Sequence, residues 1–143
     1  MFAAETKVPV ERTKVELDQL LQKHGATQRM MGTDDGRGVG IVGFTLSGRQ
    51  VRLKIPLPDR QKFRSTQQFE QATRSRWRAA LLVTKAKLEY IEMQMSTVDK
   101  EFLAQISLPD GGSVLEFLQD GLDQAYLNGH MPSLLGMGEG KRA

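Results

Sequence analysis

Residues 39–58 read VGIVGFTLSGRQVRLKIPLP, and this segment indicates the fold more clearly than any other part of the chain. Two runs in which apolar residues alternate with other residues flank Ser47-Gly48, a pattern typical of a β-hairpin with a two-residue loop. With that loop, Phe44 faces Val51 on one side of the hairpin. The basic side chains of the second run then lie on the other side. The prolines near its end indicate an edge or terminating strand.

Helical patterns lie on both sides of this hairpin. We predict a helix over 9–23, strands over 27–33, 39–46 and 49–57, a long helix over 66–95, and two shorter helices that begin at capping signals at Ser96 and Ser113. The fold class is therefore α+β: an N-terminal helix, a three-stranded antiparallel sheet packed on a long helix, and two shorter C-terminal helices. We expect one domain over 1–135 and a flexible, glycine-rich tail over 136–143.

The composition is that of an ordinary globular protein. The chain has 143 residues, of which 39% are hydrophobic and 26% charged, and it contains no cysteine. Disulfides, thiolate metal sites and thiol nucleophiles are therefore excluded. No apolar run approaches the ~20 residues of a membrane span, and the first residues do not resemble a signal peptide. We expect a cytoplasmic protein with no membrane partner.

The long helix is apolar on two opposite faces. Trp77, Leu81 and Leu88 lie on one stripe, which places Trp77 in the core rather than on a surface where bases stack. The opposite side carries Ala79, Leu82, Val83, Ala86 and Tyr90. A helix of this kind packs between two layers of its own domain, or between its domain and a partner.

Positive charge is concentrated in residues 49–87, which contain eleven basic and two acidic residues, a net charge of +9. The basic residues are Arg49, Arg52, Lys54, Arg60, Lys62, Arg64, Arg74, Arg76, Arg78, Lys85 and Lys87. Cations spread over one surface bind the phosphates of nucleic acids and release counterions. The same residues also fit a merely solvated basic face, and the sequence favours neither interpretation.

Catalytic patterns are weak. His24 lies in the last turn of the first helix, where it complements the helix dipole. His130 follows a helix end and has no partners at metal-ligand spacing. Asp34 and Asp35 are adjacent acids, but a hairpin turn needs Asp-Gly at this place. We expect neither an enzyme nor a cofactor.

Five segments carry a resemblance to a known family. They are FAAETKVPVE (2–11), GRQVRLKIPLP (48–58), RWRAALLVTKAKLE (76–89), EFLAQI (101–106) and MPSLL (131–135). With them the chain resembles small uncharacterised proteins of tailed bacteriophages and prophages, which implies expression in a bacterial cytoplasm. The order helix, three strands, helix is also that of double-stranded-RNA-binding domains. A sheet packed on a long helix is similar to the core of single-strand annealing recombinases, and that likeness implies a DNA groove lined by Arg52, Lys54, Arg74 and Arg78.

Two functions follow as hypotheses. The first is a non-enzymatic nucleic-acid-binding protein that acts on single-stranded DNA in recombination or DNA metabolism. The second is a protein–protein interaction module, either a homo-oligomer or an inhibitor of a host or defence factor. The second rests on the two-faced helix and on the acidic residues 101–143, whose net charge of −4 fits a basic block on a neighbouring subunit.

Overall fold

The computed structural model describes residues 3–131, so the predicted flexible tail over 136–143 lies outside the described residues. Its elements are α1 (Val10–Lys23), β1 (Thr27–Asp34), β2 (Val39–Leu46), β3 (Arg49–Pro56), α2 (Thr66–Glu92), α3 (Val98–Phe102) and α4 (Val114–Asn128), with 3-10 turns at Arg60–Lys62 and Leu103–Gln105. The predicted α+β class and the order of its elements are confirmed. None of the helices within this range combines the length and the apolar character needed to cross a bilayer.

The hairpin forms in the predicted register. Phe44 pairs with Val51, and the sheet order β1-β2-β3 places β3 at an edge. Ser47 has φ 50° and Gly48 has φ 75°. Two successive positive φ angles are those of a type I′ turn, whose twist matches that of the strands. The loop therefore fixes which side chains of β3 face the core.

α1 and α2 cover one face of the sheet. Trp77 is 1% exposed and packs directly on Gly40 of β2, as expected for a core residue. Leu17 and Leu21 of α1 are fully buried and belong to the hydrophobic core. Ser65 caps the start of α2, since its hydroxyl accepts a hydrogen bond from the Gln68 amide at 3.1 Å. This packing orients one flank of α2 towards α1 and the other towards β3.

The chain after α3 returns to the free edge of β3. The amide of Ser107 donates to the carbonyl of Gln50 at 2.8 Å, and the amide of Val114 donates to the carbonyl of Ile106 at 2.9 Å. Phe102 is 1% exposed and meets Phe44 edge to face, with ring centroids 5.6 Å apart. These contacts place the first turn of α4 beside β3.

Three helix boundaries differ from the prediction. α2 ends at Glu92 rather than near Met95, and Gln94 has a left-handed backbone with φ 62°. α3 is capped by Thr97, whose hydroxyl accepts from the Lys100 amide at 3.2 Å, rather than by Ser96. Ser96 instead donates to the carboxylate of Glu101. The expected helix to about residue 106 is thus a short helix followed by a 3-10 turn.

Candidate interaction groove

A groove of about 550 Å³ lies between the edge of β3, one flank of α2 and the start of α4. Most of the surface that lines it is apolar. The α2 wall consists of Ala79, Ala80, Val83 and Thr84 between Arg76 and Lys87; the opposite wall includes Ala104, Gly111, Gly112 and Leu115. Because many of these side chains are small, backbone of another segment can approach closely. We call this the β3–α2 groove.

Four of the eleven predicted site residues meet at the β3–α2 groove. Arg52 and Lys54 come from β3, and Arg76 and Lys87 come from α2. Arg76 donates to the carbonyl of Pro56 at 2.9 Å, so its guanidinium is held against the end of β3. Lys87 donates to the Glu101 carbonyl at 2.7 Å. Both of these bonds go to neutral carbonyl groups, and no carboxylate among residues 3–131 pairs with either cation.

Carboxylates of the same chain already pair with three of the predicted cations. Arg49 makes a two-pronged bond to Asp99, with nitrogen–oxygen distances of 2.9 and 3.3 Å. Arg78 pairs with Glu16 of α1. Lys54 lies 3.9 Å from Glu116, at the outer limit of an ion pair. The positive field of residues 49–87 is therefore smaller than the sequence count suggests.

The four residues that the recombinase likeness implied do not line one groove, since Arg52 and Lys54 line the β3–α2 groove and Arg74 and Arg78 do not. Arg74 and Arg78 do not line it; they lie with Lys85 on the flank that faces α1. Arg74 is half-buried and donates to the Gln71 side chain at 2.6 Å. The cause is helical geometry, because positions 74, 78 and 85 are about a third of a turn or more away from positions 76 and 87. Arg76 and Lys87 take their places.

The connector cations form a separate group at the start of α2. Arg60 donates to the Phe63 carbonyl at 3.0 Å and to the Thr66 hydroxyl at 3.1 Å, and its guanidinium lies 5.6 Å from the centre of the Phe69 ring. Lys62 and Arg64 are exposed, and neither they nor Arg60 line the groove. The eleven predicted residues thus occupy several places on the molecule rather than one continuous surface.

Exposed apolar side chains continue from the groove onto α2 and α4. The second face of α2 is open, since Val83 is 56% exposed and Leu82 and Tyr90 are also exposed. α4 has no buried residue, and its main contact with the rest of the fold is the 3-10 turn Leu103–Gln105. Its exposed apolar residues are Leu115, Phe117, Leu122, Tyr126 and Leu127. The sequence indicated that α4 has an apolar side but not that this side faces solvent.

Asp34, which the sequence offers as a catalytic candidate, has a structural role in a turn. The Asp34 carboxylate accepts from the Arg37 amide at 3.1 Å, which is the turn role expected for it. Among residues 3–131, no three His, Asp or Glu side chains lie close enough together to hold a metal ion. Comparisons with protein-family models, with curated proteins and with solved structures gave no match. Among the described residues, the β3–α2 groove and the apolar faces beside it are the surfaces that indicate a function.

Proposed function

We propose that this chain is a non-enzymatic protein-interaction module, and that the β3–α2 groove binds an acidic, amphipathic segment of a protein. The observation that carries the proposal is the apolar surface that runs from the groove onto the second face of α2 and onto α4. A contiguous apolar patch costs solvation free energy while it is exposed, and such patches mark binding surfaces. The resemblance to phage proteins suggests a bacterial cytoplasm as the place of action.

The chemistry of the groove fits such a segment. Protein interfaces combine an apolar centre with a polar rim. Here the small apolar side chains of α2, with Val83 the largest, provide the centre. Arg76 and Lys87 stand at the rim, each held by a backbone carbonyl. Fixed cations of this kind select carboxylates and lose little rotamer freedom on binding.

Site-specific photo-crosslinking in bacterial cells tests the proposal. A photoreactive side chain at Val83 lies at the groove, and the same side chain at Lys85 lies on the opposite flank of the same helix and serves as the control. We expect a protease-sensitive adduct from position 83 in clear excess over position 85. Equal yields at both positions, or no protein adduct at position 83, contradict the proposal.

A second candidate, nucleic-acid binding, is favoured by the meeting of Arg52, Lys54, Arg76 and Lys87 at one groove. If four cations neutralise four phosphates of a single strand, affinity should fall about 50-fold between 50 and 200 mM salt. Filter binding with single- and double-stranded DNA measures this slope. A flat salt dependence contradicts phosphate neutralisation, and a nuclease-sensitive adduct at position 83 favours this candidate over the first.

A further inference from the structure

We infer that the segment bound in the β3–α2 groove is α4 of a second copy of this chain. Each of two copies, related by a twofold axis, docks its α4 in the groove of the other, and we call this arrangement helix exchange. This inference rests on the proposed function, because it names the occupant of the same groove. The observations behind it are the open face of α4, its charge, and its position next to the groove.

α4 presents one apolar stripe that nothing in the described structure covers. Leu115, Leu118, Leu122 and Tyr126 follow spacings of three and four residues and so lie along one side of the helix. Leu122 is 47% exposed and Tyr126 is 86% exposed. An isolated helix of 15 residues is only marginally stable in water and takes most of its stability from packing an amphipathic face. The described part of the chain leaves Leu122, Tyr126 and Leu127 of this helix exposed.

The charges of the helix and of the groove are complementary. Within 114–128 the helix carries Glu116, Asp120 and Asp123 and no Lys or Arg. The groove is lined by four cations, Arg52, Lys54, Arg76 and Lys87. Among the described residues, no carboxylate pairs with Arg76 or Lys87. Opposite charges across an interface steer association and exclude wrong partners. An acidic helix is therefore the occupant that this groove selects.

Geometry favours docking on a second copy over docking on the same one. Leu115 and Glu116 form part of the groove wall, so α4 starts at its own groove. From there a straight helix of 15 residues extends about 22 Å, which carries Tyr126 away from that wall. Because groove and helix adjoin each other, two copies related by a twofold axis can each insert α4 beside the other's. Such a contact is closed and self-complementary.

The exchange buries enough surface for a stable dimer. A helix about 22 Å long and 10 Å wide that buries half of its side surface removes about 350 Å² from water, and the receiving groove a similar area. Twofold symmetry doubles the sum to about 1,400 Å², within the range of specific stable interfaces. Much of this surface is apolar, which is typical of homodimers.

Light scattering after size exclusion tests the exchange on the full chain. We expect a mass of twice the 16.0 kDa of one chain. Leu122→Lys on α4 and Arg76→Glu at the groove should each raise the dimer Kd about tenfold or more, as substitutions at interface centres do. The matched controls are Gln124→Lys, on another side of α4, and Lys85→Glu, on the other flank of α2; both should leave the dimer intact. Trp77 fluorescence verifies that each variant is folded.

Mixing the two disrupted variants separates helix exchange from any other dimer. The Leu122→Lys copy has an intact groove and the Arg76→Glu copy has an intact α4, so one of the two contacts re-forms in the mixture. We expect the mixture to contain a heterodimer, whereas each variant alone forms no dimer at the same concentration. Equal effects of test and control variants, or no recovery on mixing, overturn the inference.

The outcomes also distinguish the inference from the function beneath it. A monomeric protein whose position 83 crosslinks to another protein overturns the exchange and leaves the interaction module in place. A monomer whose position 83 crosslinks only within its own chain also overturns the exchange and identifies no external partner of the groove. A protein that neither dimerises nor crosslinks at the groove contradicts both.

Discussion

Gly40 occupies a position where a single methyl group should damage the core. A Cβ added there would lie 2.5 Å from Cζ2 and 3.1 Å from Cε2 of the Trp77 ring. Unstrained carbon contacts lie near 3.5–4.0 Å, so the indole would have to shift by about 1 Å against neighbours that bury it. Overpacking a well-filled core costs about 1–3 kcal/mol, while the lower chain entropy of alanine returns about 0.5 kcal/mol. We therefore expect Gly40→Ala to lower the free energy of unfolding by about 1–2 kcal/mol.

Gly32 on the neighbouring strand provides the control, because a Cβ added there has no atom within 4 Å and neither glycine has a positive φ. Gly32→Ala should be neutral or stabilising, by up to about 1 kcal/mol. Urea unfolding followed by Trp77 emission measures both, since this is the only tryptophan of the chain and it is buried. A Gly40→Ala protein as stable as the parent, or an equal loss from both substitutions, would refute the packing argument.

Three further predictions concern buried polar groups, ion pairs and caps. Thr13 is fully buried and its hydroxyl has no hydrogen-bond partner among residues 3–131. Thr13→Val should therefore raise the free energy of unfolding by about 1 kcal/mol, measured as a higher urea midpoint; a lower midpoint would contradict this. Arg78→Met breaks a partly buried ion pair and should lower the free energy of unfolding by about 1–2 kcal/mol. Arg49→Met breaks the half-exposed pair with Asp99 and should lower it by less than about 1 kcal/mol. Equal losses would refute this ranking. Ser113→Ala removes a cap worth about 1 kcal/mol, so hydrogen exchange should accelerate in α4 while Trp77-monitored unfolding stays nearly unchanged; protection of α4 as in the parent would count against this.

The hairpin shows why much of this fold follows from the sequence. Strand residues alternate with a period of two, and a two-residue loop leaves one register that buries the apolar set. The observed pairing of Phe44 with Val51 is the predicted one. The capping box at Ser113 likewise identified the start of α4, because its hydroxyl accepts from the Glu116 amide as the motif requires. Signals of this kind are local, so a single sequence contains them in full.

The arrangement of the cations could not be predicted in the same way. Arg78 pairs with a glutamate 62 positions earlier, and Arg49 pairs with an aspartate 50 positions later. The helical pattern separated the two flanks of α2 correctly, but it did not say which flank meets α1 and which meets β3. That choice depends on how the helices pack across the sheet. The sequence therefore identified the basic residues, while only the fold divides them between internal ion pairs and the groove.

The acidic residues that follow α2 explain why the exposed apolar faces matter more for function than the count of charges does. Asp99 and Glu116 already approach cations of their own chain, whereas Asp120 and Asp123, further along α4, form no ion pair within residues 3–131. Phosphate binding would use the remaining groove cations and leave Val83 and Leu122 in water. Docking of α4 from a second copy uses those cations and the apolar side chains together, and it also supplies the packing that an exposed 15-residue helix needs. Because both ligands would occupy one groove, a dimer of this kind excludes nucleic acid from it.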